Sequence, residues 1–295
     1  MTNKIYLNEL LPLDRFGSKL KLVRHYDSRV KQKSKLENFG ALVKYGLLNE
    51  YQSYQAKDIL NCKYFVSFYG EENSKAVFYG VFKVKSKCQN APVPSKTFNK
   101  YWPQMVINES TYYYELEEIL EFEKYKNRIV IKWGTGSSTR SWHQWHNNKK
   151  PKELVELRPA NYIGEFPGYK NVILDYFDLK KMIDNPDSNR IWFDELSRIS
   201  AVYAILDKLN GDVYIGSASG ETGGLWGRWS TYAKNPSGGN KLLSKLKNND
   251  EHFSNNLQYS ILEVLPRGTR KEDVVSIEQL YKNKLGTKVF GLNAN

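Results

Sequence analysis

Six side chains in the last third of the sequence have types and spacings suited to handling an anionic group: Tyr203, Tyr214, Arg228, Tyr232, Glu278 and Asn293. Arg228 and Tyr232 are four residues apart, which places them on one face of a helix. Tyr214 and Gly216 alternate onto the same face of a strand, and the missing side chain at Gly216 leaves space beside Tyr214 where a phosphate could approach. Glu278 falls among Val274, Ile277, Tyr281 and Leu285 on the apolar face of a helix. A carboxylate there loses water and must be ion-paired or hold a cation. The sequence alone leaves both choices open.

The elements that carry these groups are legible as patterns. Strands are expected over 202–206 and 212–217, joined at Asn210-Gly211, a pair suited to the positive φ of a tight hairpin. A glycine-rich loop over 217–224 leads to a helix over 225–233. Asn235-Pro-Ser-Gly-Gly ends it, and a second helix is expected over about 240–247. A third strand spans 257–265. The last helix starts at a capping box, Thr269 with Glu272, and stops at Gly286.

In this order the residues resemble the GIY-YIG nuclease family. Ala201-Val202-Tyr203 stands where that family has its first motif, and Tyr214-Ile215-Gly216 where it has its second. Arg228 with Tyr232, then Glu278, then Asn293 match its helical arginine and tyrosine, its single metal-binding glutamate and the asparagine that follows. The resemblance covers about 199–295 and departs at two points. Ala201 replaces a glycine, and Ser217 stands where many members carry a basic residue. Lys234 or Lys241 would then supply that contact to nucleic acid. The resemblance implies metal-dependent hydrolysis of DNA phosphodiester bonds, with Glu278 as the only protein ligand to Mg²⁺ or Mn²⁺ and with water and phosphate completing the shell. It implies that Arg228 clamps a non-bridging oxygen, that Tyr203 is the general base, and that Tyr214 and Tyr232 position water and phosphate. An ordinary tyrosine titrates near ~10, so Tyr203 would need positive charge beside it to act at neutral pH.

Upstream the chemistry is less specific. The chain has 295 residues, which suggests two domains, and the boundary is expected near 195. The fold class expected is α+β: a β-rich curved sheet or barrel with flanking helices over 1–195, and a three-stranded antiparallel sheet with helices over 196–295. Strands are expected over 64–69, 75–85, 111–117, 128–133 and 154–157, with Gly80 marking a bulge or close backbone approach. Helices are expected over 36–45 and 50–60, and again over 178–183, with Asp178 as cap, and 191–196. The hairpin residues 78–84 resemble those of PUA-like barrels, a superfamily that includes readers of modified bases. His25 reads as an ordinary surface or hinge histidine. Between strands, Arg140, Trp142, Trp145, Lys149 and Lys150 join cations to aromatic faces, a combination that binds phosphates and stacks on bases; the alternative is that the two tryptophans pack against the barrel.

The net charge is +12, which favours a polyanion as partner, and double-stranded DNA leads. The two cysteines, Cys62 and Cys88, exclude a disulfide framework and a cysteine-ligated zinc site. No apolar run reaches membrane-spanning length, and a cytoplasmic protein is expected. A restriction or defence endonuclease fits best, with the N-terminal domain selecting the DNA site or modification. The alternatives are a repair, recombination or mobile-element nuclease, and a DNA-binding protein whose catalytic centre has decayed. Cutting both strands with one centre per chain would need a homodimer or sequential nicking.

Overall fold

The aromatic, β-branched run beginning near residue 63 forms the middle of a curled half-barrel sheet. In a computed structural model of the chain, residues 4–17, 19–25, 42–102, 107–134, 141–249 and 253–293 are described. They divide into two compact units, Met1–Arg158 and Pro159–Asn295.

In the first unit the strands are β1 (Lys21–His25), β2 (Tyr54–Gln55), β3 (Tyr64–Gly70), β4 (Lys75–Cys88), β5 (Tyr112–Glu118), β6 (Ile129–Lys132), β7 (His143–Trp145) and β8 (Leu154–Leu157). Their order is β2-β5-β4-β3-β1-β7, with β6 pairing both β4 and β8. All five expected strands are present. The long β4 is shared: one edge meets β3, and the other meets β6 near Lys75 and β5 from Phe82 onward. That sharing bends the sheet. The register between β3 and β4 shifts between Ser67 and Phe68, where Tyr79 is the extra residue beside Gly80, so the bulge expected at this glycine is there. A Cβ at Gly80 would also lie 2.9 Å from the Phe82 ring. Alternate residues serve two cores, with Leu22, Val66 and Phe68 in one and Val23 and Phe65 in the other.

Strand β1 was not expected from the sequence, because Lys21-Leu-Val-Arg-His25 looks too polar for a buried strand. All five residues are buried, and each polar one has a contact, although Arg24 Nε makes no hydrogen bond. Lys21 Nζ donates to Ile59 O and to Asn61 Oδ1. The Arg24 guanidinium lies 5.2 Å from the Trp133 ring centre. His25 is therefore a core residue rather than a surface one, with Nε2 3.3 Å from Gln52 Oε1, which also accepts from Ser67 Oγ at 2.8 Å. The helix expected over 50–60 is shorter, Leu48–Ser53, and its continuation becomes β2. The helix expected over 36–45 lies largely outside the described residues.

In the second unit, β9 (Ile173–Asp175), β10 (Ile199–Asp207), β11 (Val213–Ala218) and β12 (Leu257–Pro266) form an antiparallel sheet in the order β11-β10-β12-β9. The helices are α1 (Tyr176–Asp184), α2 (Arg190–Ser197), α3 (Gly224–Lys234), α4 (Lys241–Asn249) and α5 (Lys271–Leu285). Residues 159–198 belong to this unit. They supply the fourth strand and bury Leu179, Met182, Trp192 and Leu196 in the main core. Two details differ from expectation in the same region and beyond. Asp175 rather than Asp178 caps α1, accepting from Asp178 N at 2.9 Å. Helix α5 begins after Arg270 with no side-chain cap, so the Thr269–Glu272 box does not form. The hairpin turn is built on Asp207, whose Oδ1 accepts from Leu209 N, and positive φ is confined to Gly211. Along β10, Ala201, Tyr203 and Ile205 face the main core, while Val202 and Ala204 face the smaller cluster that includes Ile277 and Tyr281 of α5. Among the described residues no helix is long and apolar enough to cross a membrane.

Burial pulls the His25 pKa from 6.5 down to about 4, against the smaller upward pull of Gln52. The folded state therefore resists a proton that the unfolded chain accepts. Stability should be complete above about pH 6.5 and fall by about 3 kcal/mol as pH drops to about 4. Urea midpoints measured across this range should show the loss in the wild type and a flatter profile in His25→Gln. Equal profiles would mean that another group is responsible.

Candidate active site

Tyr203 sits in the middle of β10, opposite Gly216 on β11. Its ring is wholly buried, with Trp229 and Tyr232 of α3 packed edge-on at 6.3 and 6.1 Å between centres. The i,i+4 pair on α3 closes over it. Arg228 Nε donates to Tyr203 Oη at 3.0 Å, and Arg228 Nη2 donates to Tyr232 Oη at 3.2 Å. The two phenol oxygens are 3.1 Å apart. One guanidinium thus bridges two buried hydroxyls, and neither tyrosine uses Nη1. Tyr214 packs beside Tyr203 at 6.5 Å and is only partly buried, so it is the tyrosine of the cluster that meets solvent.

Two glycines make room for these rings. A Cβ at Gly216 would lie 2.5 Å from Tyr203 Oη and 2.8 Å from Tyr214 Cε1. The space expected there for a phosphate is therefore filled by the Tyr203 phenol. Gly238 has φ +56° and abuts the Tyr232 ring, which any side chain at 238 would strike. The loop after α3 is thereby fitted around Tyr232.

Burial dominates the acid–base character of the phenols. It pushes Tyr203 well above the ordinary tyrosine range, with Tyr214 adding to the shift and Arg228 opposing it. Tyr232 moves the same way for the same first cause. The positive charge that a Tyr203 base requires is present in Arg228, but it does not overcome desolvation. In this state Tyr203 and Tyr232 are neutral hydroxyls that hold the guanidinium.

Glu278 lies on the α5 side of the sheet. Lys282, one turn further along α5, places Nζ 2.6 Å from Glu278 Oε1, and Ser217 Oγ donates to Oε2. Both side chains are largely removed from water, with 14% of Glu278 and 6% of Lys282 exposed. The carboxylate is thus ion-paired. Lys282 was missed by sequence reasoning, although its i,i+4 spacing after Glu278 was the available signal. Leu285, expected on the apolar face, is 54% exposed. Ser217 adjoins Gly216, so the carboxylate and the tyrosine–arginine cluster approach β11 from its two faces.

Asn293 is buried against the outer edge of β11. Its Oδ1 accepts from Ile215 N at 2.9 Å and its Nδ2 donates to Ile215 O at 2.8 Å. The amide thus continues the sheet in place of another strand, and Leu292 N donates to Val213 O beside it. This is a positioning role. Lys234 and Lys241 are exposed at the end of α3 and the start of α4. In the first unit, Trp142 is 37% and Trp145 49% exposed, so neither is absorbed into the core. Lys21 Nζ lies 4.5 Å from the Trp145 ring centre. Arg140 lies outside the described residues.

No protein-family model matches the chain, and no curated relative matches it. Among solved structures, the chain is similar to the catalytic domain of the intron endonuclease I-TevI in a mutant form, at 26% identity and a TM-score of 0.28, over 33% of this chain and 94% of that one. A second structure, the catalytic domain of the homing endonuclease I-TevI, gives 27% identity and a TM-score of 0.27 over 32% of this chain and 98% of that one.

The Asn293 amide is the piece of this arrangement most easily tested by itself. Asn293→Ala leaves the N–H and C=O of Ile215 unpaired at a buried edge, and should cost about 1–3 kcal/mol. Thermal denaturation should show the loss. An unchanged melting temperature would place the edge in contact with water.

Proposed function

We propose that this protein is a DNA endonuclease of the GIY-YIG type, with its phosphodiesterase centre in the second unit and its nucleic-acid selectivity in the first. The observation that carries this reading is the Arg228 guanidinium. It is fixed by two buried hydroxyls through Nε and Nη2 and keeps Nη1 for a ligand. A charged donor fixed in this way is suited to a non-bridging phosphate oxygen on which charge builds in the transition state. Tyr214, the accessible phenol, would orient the attacking water. Tyr203 and Tyr232 act through Arg228.

The family resemblance implies that Glu278 would be the sole protein ligand of a divalent ion, and among the described residues no three His, Cys, Asp or Glu side chains cluster. The fit is reasonable: each of its oxygens has one described protein donor, and a carboxylate oxygen has two lone pairs. Bound Mg²⁺ or Mn²⁺ would supply a Lewis acid for the phosphate and leaving oxygen.

The charge distribution supports the division of labour. Residues 1–158 hold 27 Lys/Arg against 16 Asp/Glu, while residues 159–295 hold 17 against 16. The excess that attracts DNA is thus in the first unit, where Trp142 offers an exposed face for stacking. A large reader fused to a cutting module suits restriction or defence; a repair, recombination or mobile-element role would instead read DNA shape. The Glu278–Lys282 ion pair favours a second reading, a DNA-binding protein that no longer cuts.

Incubation of the full chain with modified, unmodified and branched duplexes in Mg²⁺ or Mn²⁺ tests these readings together. Cleavage is expected, with Arg228→Ala and Glu278→Gln lowering its rate by at least about 100-fold. Full activity in both variants would overturn the mechanism. Binding without cleavage on every substrate would establish the second reading. Affinity should also fall steeply with salt, and neutralising Lys149 and Lys150 should make that slope shallower.

A further inference from the structure

Lys282 is placed unusually for a lysine. It is 5% exposed, on a helix whose neighbouring lysine, Lys284, is exposed. A buried ammonium requires a partner, and Lys282 has one in Glu278 Oε1 at 2.6 Å. Ser217 takes the other oxygen. The carboxylate is therefore supplied with one unit of positive charge and one hydroxyl donor before any ligand arrives.

We propose that Lys282 is the resident counter-cation of the Glu278 site and competes with a divalent ion for that carboxylate. The inference rests on the nuclease reading above. A hard cation would bind a carboxylate oxygen at about 2.0–2.6 Å, and the ammonium already stands 2.6 Å from Oε1. Two positive groups on one desolvated carboxylate repel each other strongly. A divalent ion therefore binds the free protein weakly, and binds well only when a phosphodiester brings further negative charge to share the two cations. Lys282 sets an order of binding in which DNA comes before the ion. Once released from Glu278, its ammonium is free to pair with a phosphate oxygen, the auxiliary cationic contact that Ser217 cannot make.

The test is Mn²⁺ affinity of the full chain without DNA, read by titration calorimetry or by the loss of the free-ion paramagnetic resonance signal. Lys282→Met keeps the unbranched stem and removes the charge. It should bind Mn²⁺ at least about tenfold more tightly than the wild type, and adding Glu278→Gln should abolish the gain. Lys282→Gln, which retains a polar end, serves the same purpose if the methionine variant does not fold, as judged by circular dichroism. A folded variant that binds Mn²⁺ no better than the wild type, or a gain that survives Glu278→Gln, overturns the proposal. Its failure is separable from that of the nuclease reading, which falls if the wild type binds DNA without cutting it or if Arg228→Ala and Glu278→Gln both cut as the wild type does.

Discussion

A guanidinium cannot shed its proton to escape burial, so the tyrosine cluster of the second unit is arranged around the need to satisfy Arg228. Two phenol oxygens meet it, at 3.0 and 3.2 Å. Hydrogen bonds to a charged group contribute about 1.5–3 kcal/mol each, and leaving such a donor unpaired would cost more. The constraint passes outward from there. Tyr203 can reach Arg228 only because its ring crosses Gly216, and Tyr232 keeps its place only because Gly238 leaves room for it. Gly216 lies opposite Tyr203 only in the observed register of β10 and β11. A slip of one residue would turn Tyr203 to the other face of the sheet and take one of the two hydroxyls from the charge.

The same dependence explains which parts of the site can be read from the sequence. The hairpin, the i,i+4 pair on α3 and the absence of a side chain at Gly216 are local facts, and local spacing reveals them. What fills the space at Gly216 is a tertiary fact, and the Tyr203 ring rather than a ligand occupies it. The carboxylate on an apolar helix face was correctly marked as needing a partner. Its partner was missed because a lysine is ordinarily counted among solvated residues, although the i,i+4 spacing puts Lys282 on the same face as Glu278.

The fold shows a parallel division. Strands dense in aromatic and β-branched residues were legible, β3 and β4 above all. Strand β1 was not, because its Lys21, Arg24 and His25 find partners far along the chain: Ile59 and Asn61, Trp133, and Gln52. The segment 159–198 carries little periodic signal, because β9 has only three residues and its helices are short. Their membership of the second unit is decided by Leu179, Met182 and Trp192 entering its core.

Strand β11 is where these constraints converge. Side chains alternate across it, so Tyr214 and Gly216 meet the arginine cluster while Ile215 and Ser217 meet α5. An interior strand would separate those two sets of groups behind a continuous sheet. An edge strand does not, because a ligand approaching the edge can reach groups from both faces. Exposed edges are also liable to pair with other chains. Here the Asn293 amide and Leu292 N–H cover the edge at Val213 and Ile215. Gly216 and Ser217, the next two residues along the strand, are those through which the arginine cluster and the carboxylate touch it.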